Sequence, residues 1–256
     1  MSVEACADIV KRGDPDRFLA AMTADPARRR ILFPLYAFNV EVARAPWLTS
    51  EPMIAEMRLQ WWRDVLEEIQ AGANVRRHEV VTPLAEVLDK EAAEALDANV
   101  AARRWDIYKD PFEDDAHFKD YIISTSGVLL EQAVRLTCDS APKAELEAAR
   151  AVGYAQGLAN WFLAIPELEA RKRIPLVDGR PPAISELAQG GLDELSKARA
   201  YGSQKASAAV LRSAWRSRTI LQQVVEAPER VAECSLGTSE FARKFSLLWL
   251  SLRNRW

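Results

Sequence analysis

Glycine is scarce in this sequence, with only 10 among 256 residues, and no apolar run reaches the length of a membrane span. Alanine, leucine, glutamate and arginine fill most segments instead. These residues favour helix over the turn-rich strands of sandwiches and barrels. Hydrophobic residues make up 49% of the chain, which is enough for a substantial core. The composition therefore predicts an all-α protein.

The sequence also lacks an excess of one charge, and it lacks the ligand patterns of zinc sites. The 34 basic and 37 acidic side chains give a formal net charge of −3, so bulk electrostatics does not favour a nucleic acid as partner. Two histidines and three widely spaced cysteines, without C-x-x-C or H-E-x-x-H spacing, predict neither a zinc site nor a disulfide framework. The N-terminal segment has no signal-peptide pattern, so we expect a cytoplasmic protein.

Helix starts are marked by a capping residue followed by proline, at Asp14-Pro15, Asp25-Pro26, Thr82-Pro83 and Asp110-Pro111. Together with the apolar spacing, they predict helices at 15–23, 26–46, 51–71, 83–95, 95–109, 115–137, 142–168, 184–199, 203–226 and 238–253. Three prolines and a glycine predict a loop over 171–184. No linker or repeat divides the chain, so we expect a single domain over residues 1–256.

The predicted helix 51–71 has apolar residues at intervals of three and four. This spacing predicts one broad buried face, formed by Ile54, Met57, Trp61, Trp62, Val65, Leu66 and Ile69. Arg58 falls on the same face. A buried guanidinium requires an anionic partner, so we expect a carboxylate or phosphate beside it.

Two sequence blocks carry a resemblance to a known family. They are FPLYAFNVEVARAPWLTSEPMIAEMRLQWWRDVLEEI, from Phe33, and GYAQGLANWFLAIPELEARKRIPL, from Gly153. Together they resemble the squalene/phytoene synthase family, over most of the chain from about Asp16 to the C-terminal helix. The resemblance implies an isoprenoid-synthase-like helical bundle with a central cavity. Active members hold a substrate diphosphate with magnesium ions, which two aspartate-rich motifs on facing helices bind.

The resemblance also implies that the magnesium ligands are replaced here. The D-D-x-x-D pattern of active members falls on Ala43, Arg44 and Trp47, and the R-D-x-x-E-D pattern falls on Leu163, Ala164, Glu167 and Leu168. Only Glu167 keeps its carboxylate. By this comparison we expect no catalytic residue, no metal site and no cofactor.

The segment Phe38-Asn39-Val40-Glu41 is most similar to a non-catalytic branch of this family, whose members assist the assembly of respiratory complex I. The leading hypothesis is therefore a binding or assembly factor for a membrane respiratory complex. Its partner would be a protein, such as a subunit of that complex. Its location would be cytoplasmic or peripheral on the inner membrane.

Two alternatives stay open. One is an active prenyl transferase that condenses isoprenoid diphosphates with Mg²⁺, using carboxylates such as Asp114 and Asp115, although both also suit the N-terminus of a helix. The other is a carrier that holds an apolar lipid or isoprenoid in the cavity without metal.

The candidate residues of a vestigial cleft or ligand pocket are Asn39, Glu41, Arg44, Arg58, Trp62, Gln156, Asn160, Glu167, Arg171 and Arg173. We expect Glu41 and Arg58 to form a buried ion pair. Asn39, Gln156 and Asn160 would either line the pocket or satisfy one another in the core. The basic triplet at 171–173 would bind an anion or, as is commoner at a helix C-terminus, lie in solvent.

The C-terminal segment FARKFSLLWLSLRNRW carries an apolar stripe bordered by basic residues. The stripe consists of Phe241, Phe245, Leu248, Trp249, Leu252 and Trp256. Packing against the bundle is the commoner fate of such a stripe. The alternative is a peripheral contact of residues 238–256 with an anionic membrane surface.

Overall fold

The structure, a computed structural model, describes residues 2–138, 140–201 and 205–256. These residues contain helices and no strand, which confirms the all-α prediction. The α-helices are α1 (Val3–Gly13), α2 (Pro15–Met22), α3 (Pro26–Arg44), α4 (Pro52–Gln70), α5 (Val81–Ala85), α6 (Lys90–Ala102), α7 (Asp115–Ile122), α8 (Val128–Thr137), α9 (Lys143–Ala170), α10 (Pro181–Ala200), α11 (Lys205–Leu211), α12 (Ser217–Glu226) and α13 (Glu240–Leu252). In this part of the chain no helix combines the length and apolar content needed to cross a membrane.

Local sequence signals place several helix starts correctly. The side chains of Asp14 and Asp25 accept hydrogen bonds from backbone N–H groups three residues later, at 2.9 and 3.0 Å, and proline follows each of them. Asp114, rather than Asp110, caps α7 by accepting from the His117 N–H at 2.8 Å. This capping role agrees with the interpretation that Asp114 stabilises the N-terminus of a helix, and not with a role in catalysis.

Other predicted boundaries are wrong. The prediction omits α1, which buries Cys6, Ile9 and Val10 on one face. It also starts one helix at 83 where the structure has the short α5, a break, and a new start capped by Asp89. The predicted loop at 171–184 ends early, because Pro181 occupies the first position of α10, where a missing N–H costs nothing.

Packing divides the chain into two compact units. One comprises Met1–Tyr108 and Gln132–Ala141, and the other comprises Lys109–Glu131 and Pro142–Trp256. The single domain expected from the sequence stays a prediction.

In the first unit, α1 packs against α3 and α4 packs against α6. Helix α3 is buried on all its faces over nine residues, since every residue from Leu32 to Val40 is buried. Between α4 and α6, the Arg63 guanidinium donates to both oxygens of Asp97, at 2.7 and 2.9 Å. This bidentate ion pair raises the pKa of Arg63 and fixes the register of the two helices.

In the second unit, α9 is the central helix, and α10 and α12 pack on it. A π-helical turn at Ile123–Gly127 also lies against α9, opposite two of its glycines. A Cβ atom on Gly153 would lie 2.7 Å from the Ser126 carbonyl oxygen, and one on Gly157 would lie 2.7 Å from the Ser126 Cβ. Both positions therefore require glycine for this close approach.

Candidate functional site

A cavity in the first unit lies where α3 ends and α4 begins. Helix α3 stops at Arg44, and Pro46 in the following 3-10 turn, Ala45–Trp47, prevents its continuation. The chain then turns back into α4 at Pro52. The cavity has a volume of about 450 Å³ and is lined by Glu41, Ala45, Leu48, Ile54, Met57, Arg58, Trp61, Trp62 and His78.

Three rings form one wall of this first-unit cavity. The Trp61 and Trp62 indoles meet edge to face at 4.9 Å, and the His78 imidazole lies 5.2 and 5.7 Å from their centroids. The Trp62 ring is buried and packs edge to face against the Phe38 ring, with their centroids 5.4 Å apart. Such packing fixes the rings before any ligand enters.

Two further contacts hold the wall in place. Arg76 lies 5.1 Å from the Trp61 ring centroid and pairs with Glu68, whose side-chain hydrogen bond lowers the pKa of the carboxyl. The His78 Nδ1 accepts from the Val80 N–H at 3.2 Å. The Nε2 atom of His78 is therefore the nitrogen left for a ligand.

The charged residues at the cavity are arranged differently from the prediction. Glu41 pairs with Arg44, at 3.1 Å, and Arg58 is exposed. Within the part of the chain that the structure describes, Arg58 forms no hydrogen bond or ion pair. The predicted buried pair of Glu41 with Arg58 is thus wrong. Arg58 instead presents its guanidinium at the rim of an apolar cavity, where it can bind an anionic group.

The prediction of one buried face on α4 is correct only for the C-terminal half. Trp62, Val65 and Leu66 are buried, whereas Ile54 and Met57 are exposed. The N-terminal half of the face lines the first-unit cavity rather than a helix–helix contact.

The other candidate residues lie elsewhere. Asn39 is buried in α3, and its amide oxygen has no hydrogen-bond partner among the described residues. In the second unit, the Gln156 amide donates to the Ser213 carbonyl oxygen at 2.9 Å, and Asn160 is exposed on the same helix. These amides therefore do not form one network.

The basic triplet after α9 is divided between solvent and core. Arg171 is exposed and pairs with Glu167, at 2.7 Å. Lys172 is exposed, with a positive φ of 62°. Arg173 is buried and lines a second-unit cavity of about 390 Å³, so the expectation of a fully solvated triplet is wrong for this residue.

The positions that the resemblance assigns to magnesium offer few suitable ligands. Ala43 and Trp47 have no oxygen side chain, Arg44 carries a positive charge, and Glu167 is paired with Arg171. Mg²⁺ requires hard oxygen ligands with near-octahedral geometry. These residues do not fit a magnesium–diphosphate site.

Six residues that line the first-unit cavity are not among the pocket residues predicted from the sequence: Ala45, Leu48, Ile54, Met57, Trp61 and His78. The apolar spacing of α4 already grouped Ile54, Met57 and Trp61 on one face with Trp62. His78 lies in an irregular segment between α4 and α5, and no local signal could have placed it there.

The comparisons with known proteins agree with this architecture. The model of the family described as squalene/phytoene synthase matches residues 10–239. The chain belongs to this family. Solved squalene/phytoene synthase-like structures include a dehydrosqualene synthase with bound ligand, at a TM-score of 0.73 and 14% identity, covering 98% of this chain and 95% of that one. Squalene synthase HpnC from Alicyclobacillus acidocaldarius aligns with a TM-score of 0.58 and 16% identity, over 98% and 94% of the two chains. These likenesses show the fold.

The curated relatives of this chain carry a different kind of name. A Drosophila melanogaster homolog of "NADH dehydrogenase (ubiquinone) complex I, assembly factor 6" is 28% identical over 67% of this chain and 53% of its own length. The Homo sapiens protein of that name is 24% identical over 66% of this chain and 51% of its own length. The chain thus spans about half the length of the curated relatives it matches.

Proposed function

We propose that this squalene/phytoene synthase family member acts by binding rather than by catalysis, as an assembly factor for a membrane respiratory complex. The observation that carries the proposal is the set of side chains at Ala43, Arg44, Trp47 and Glu167, which does not fit a magnesium–diphosphate site. The names of the curated relatives supply the direction, because complex I assembly is the role in those names.

The first unit offers an apolar surface for a protein partner. Met53 and Met57 at the start of α4 are 75% and 66% exposed, and Leu48 and Ile54 beside the first-unit cavity are also exposed. Contiguous exposed apolar side chains are typical of interaction sites, and methionine adapts to the shape of a partner. We therefore assign the partner contact to this surface.

Gene deletion in the native host tests the assembly role. We expect less assembled NADH:ubiquinone oxidoreductase on native gels, restored by the wild-type gene and not by Met53→Glu/Met57→Glu. Lys90→Glu is the matched control, because it makes the same change in net charge at an exposed position of the same unit. Normal amounts of the oxidoreductase after deletion would contradict the assembly role.

An activity measurement separates the proposal from the prenyl transferase alternative. Farnesyl and geranylgeranyl diphosphate, incubated with the protein and Mg²⁺, should give no release of diphosphate. Release that depends on both protein and Mg²⁺ would show that a family member without the usual carboxylates still ionises its substrate.

The first-unit cavity supports a second candidate function, the carriage of an apolar ligand with an anionic group. Two indoles and several aliphatic side chains form its walls, and Arg58 stands at the rim. Mass spectrometry of an organic extract from the purified protein should then find a lipid or isoprenoid. Arg58→Gln should reduce its amount, whereas Arg30→Gln, at an exposed position of α3, should not. An extract without such a molecule would contradict this function.

A further inference from the structure

Helix α13 is attached to the second unit by little of its surface. Ser239 caps the helix by accepting from the Ala242 N–H at 3.3 Å, and Leu247 is the one buried residue of the helix. The sequence pattern favoured packing of its apolar stripe against the bundle. The structure leaves five of its six residues in solvent, so this prediction is wrong for all of them except Trp256, which is half-buried beside Arg199.

The exposed part of this stripe, called the α13 stripe from here on, consists of five large apolar side chains on one side of the helix. Their exposed fractions run from 47% to 79%, for Phe241, Phe245, Leu248, Trp249 and Leu252. The Phe241, Phe245 and Trp249 rings stack along the helix, at centroid distances of 6.1 and 6.4 Å. At 100° per residue all five fall within about 100° of arc. A contiguous surface of this kind marks an interaction site.

Cations border the α13 stripe on both sides. On the helical wheel Lys244 falls on one edge and Arg253 on the other, and the Arg253 guanidinium lies 3.9 Å from the Trp249 ring centroid. Arg255 follows two residues after Arg253. The only acidic side chain in 240–256 is that of Glu240, whose Oε1 lies 2.6 Å from the Lys244 Nζ. This segment is therefore strongly basic, although the chain as a whole carries a net charge of −3.

A second group of arginines extends the positive charge. A cavity of about 510 Å³ is lined by Arg199, Leu250, Arg255 and Trp256. Burial and the charge of Arg218 lower the pKa of Arg199, which shows that two guanidiniums lie near each other. Among the described residues, no Asp or Glu side chain pairs with Arg199, Arg218 or Arg255. Phosphate oxygens are suitable partners for such arginines.

We propose that α13 docks on an anionic phospholipid surface, with the α13 stripe inserted at the headgroup boundary and Lys244, Arg253 and Arg255 on the lipid phosphates. An apolar arc with aromatic rings and flanking cations is the pattern of helices that lie in a membrane interface. A second copy of the chain fits less well, because it would place the same cations opposite each other. The proposal does not depend on the assembly role.

Flotation of the purified full chain with vesicles tests the docking. Vesicles of phosphatidylcholine with phosphatidylglycerol should carry the protein upward, and pure phosphatidylcholine vesicles should carry much less. The triple change Phe241→Ser/Phe245→Ser/Leu252→Ser should abolish binding. Met22→Ser/Tyr201→Ser is the control, because it removes two exposed large hydrophobic side chains outside α13, at positions 41% and 66% exposed.

A second variant keeps the test decisive if the triple change prevents folding. Lys244→Gln/Arg253→Gln alters only exposed side chains and should weaken binding to phosphatidylglycerol vesicles at least about tenfold. Binding that neither variant changes would overturn the proposal, as would equal binding to both vesicle types. Light scattering that shows a dimer, which the triple change converts to monomer, would instead identify the α13 stripe as a self-association surface.

Discussion

Arg44 donates a hydrogen bond to Glu41 one turn earlier in α3, with Nη1 and Oε1 3.1 Å apart. The Arg44 side chain is more than half exposed. Water and salt screen such a pair, and its contribution to stability is small. This arrangement sets the expected effect of changing Glu41.

Glu41→Ala should lower the free energy of unfolding by less than about 1 kcal/mol, since it removes one exposed ion pair. Urea denaturation of the variant and the wild type measures this difference. A loss of about 3–5 kcal/mol would instead indicate that Glu41 has a buried charged partner.

Gln156→Leu should cost about 1–3 kcal/mol of stability, because it removes the buried amide that contacts Ser213. Gln156 donates to the Ser213 carbonyl oxygen at 2.9 Å and accepts from the Ser213 hydroxyl at 3.3 Å. Asn160→Leu, one turn further along α9, should change stability by less than about 0.5 kcal/mol, since Asn160 is exposed. Equal losses in the two variants would contradict the assignment of the Gln156 contact.

Gly153→Ala should destabilise the protein by about 1–3 kcal/mol or more, because the added methyl group meets the Ser126 carbonyl oxygen and the Gly127 backbone. Gly190→Ala should have the opposite effect on stability. Gly190 lies inside α10 with no atom within 4 Å of the new Cβ, so alanine should stabilise by roughly 0.5–1 kcal/mol. Thermal denaturation of both variants checks the two signs, and a stabilising Gly153→Ala would show that α9 can move away from the π-helical turn.

Cys6 should resist thiol reagents until the protein unfolds, whereas Cys234 should react in the native state. Cys6 is completely buried, and burial raises the pKa of its thiol to about 12. Only the thiolate is nucleophilic. Cys234 is exposed near the start of the segment leading to α13. Peptide mass spectrometry after timed maleimide labelling compares the two, and equal labelling rates would contradict the placement of α1.

Stability should fall as the pH rises from about 9 towards 12. Burial raises the pKa of Tyr154 from 10.0 to about 12, and that of Cys6 from 9.0 to about 12. The unfolded chain therefore releases these protons first, and stability present at lower pH is lost in that window. Urea midpoints over this range should fall less steeply for Tyr154→Phe. Tyr201→Phe, at an exposed position, should leave the fall of the midpoint with pH as steep as in the wild type. An equally steep fall in the wild type and both variants would contradict the burial of Tyr154.

Features that depend on neighbouring residues in sequence could be predicted. Asp14 and Asp25 cap their helices because the side chain, the proline and the first N–H groups all lie within one turn. Asp114 follows the same rule at α7. The helical class of the chain follows from composition in the same local way, because each helix forms its own backbone hydrogen bonds.

Features that depend on tertiary packing could not be predicted. The spacing of α4 identifies an apolar face, but it does not tell whether another helix covers it, and Met57 lies exposed while Val65 is buried on that face. The sequence predicts that Glu41 pairs with Arg58, yet Arg44 is a neighbour of Glu41 on the surface of the same helix, three residues away. His78 reaches the first-unit cavity through the path of an irregular segment, which no periodic pattern records.

The close approach of α9 to the π-helical turn couples residue 157 to two positions that are distant in sequence. Gly157 leaves room for the side chains of Ile122 and Ser126, which would lie 2.8 and 2.7 Å from an added Cβ atom. Divergent homologues with a larger residue at 157 are therefore expected to carry smaller residues at both other positions. A suppressor screen that begins from Gly157→Ala should recover smaller residues at 122 and 126 together.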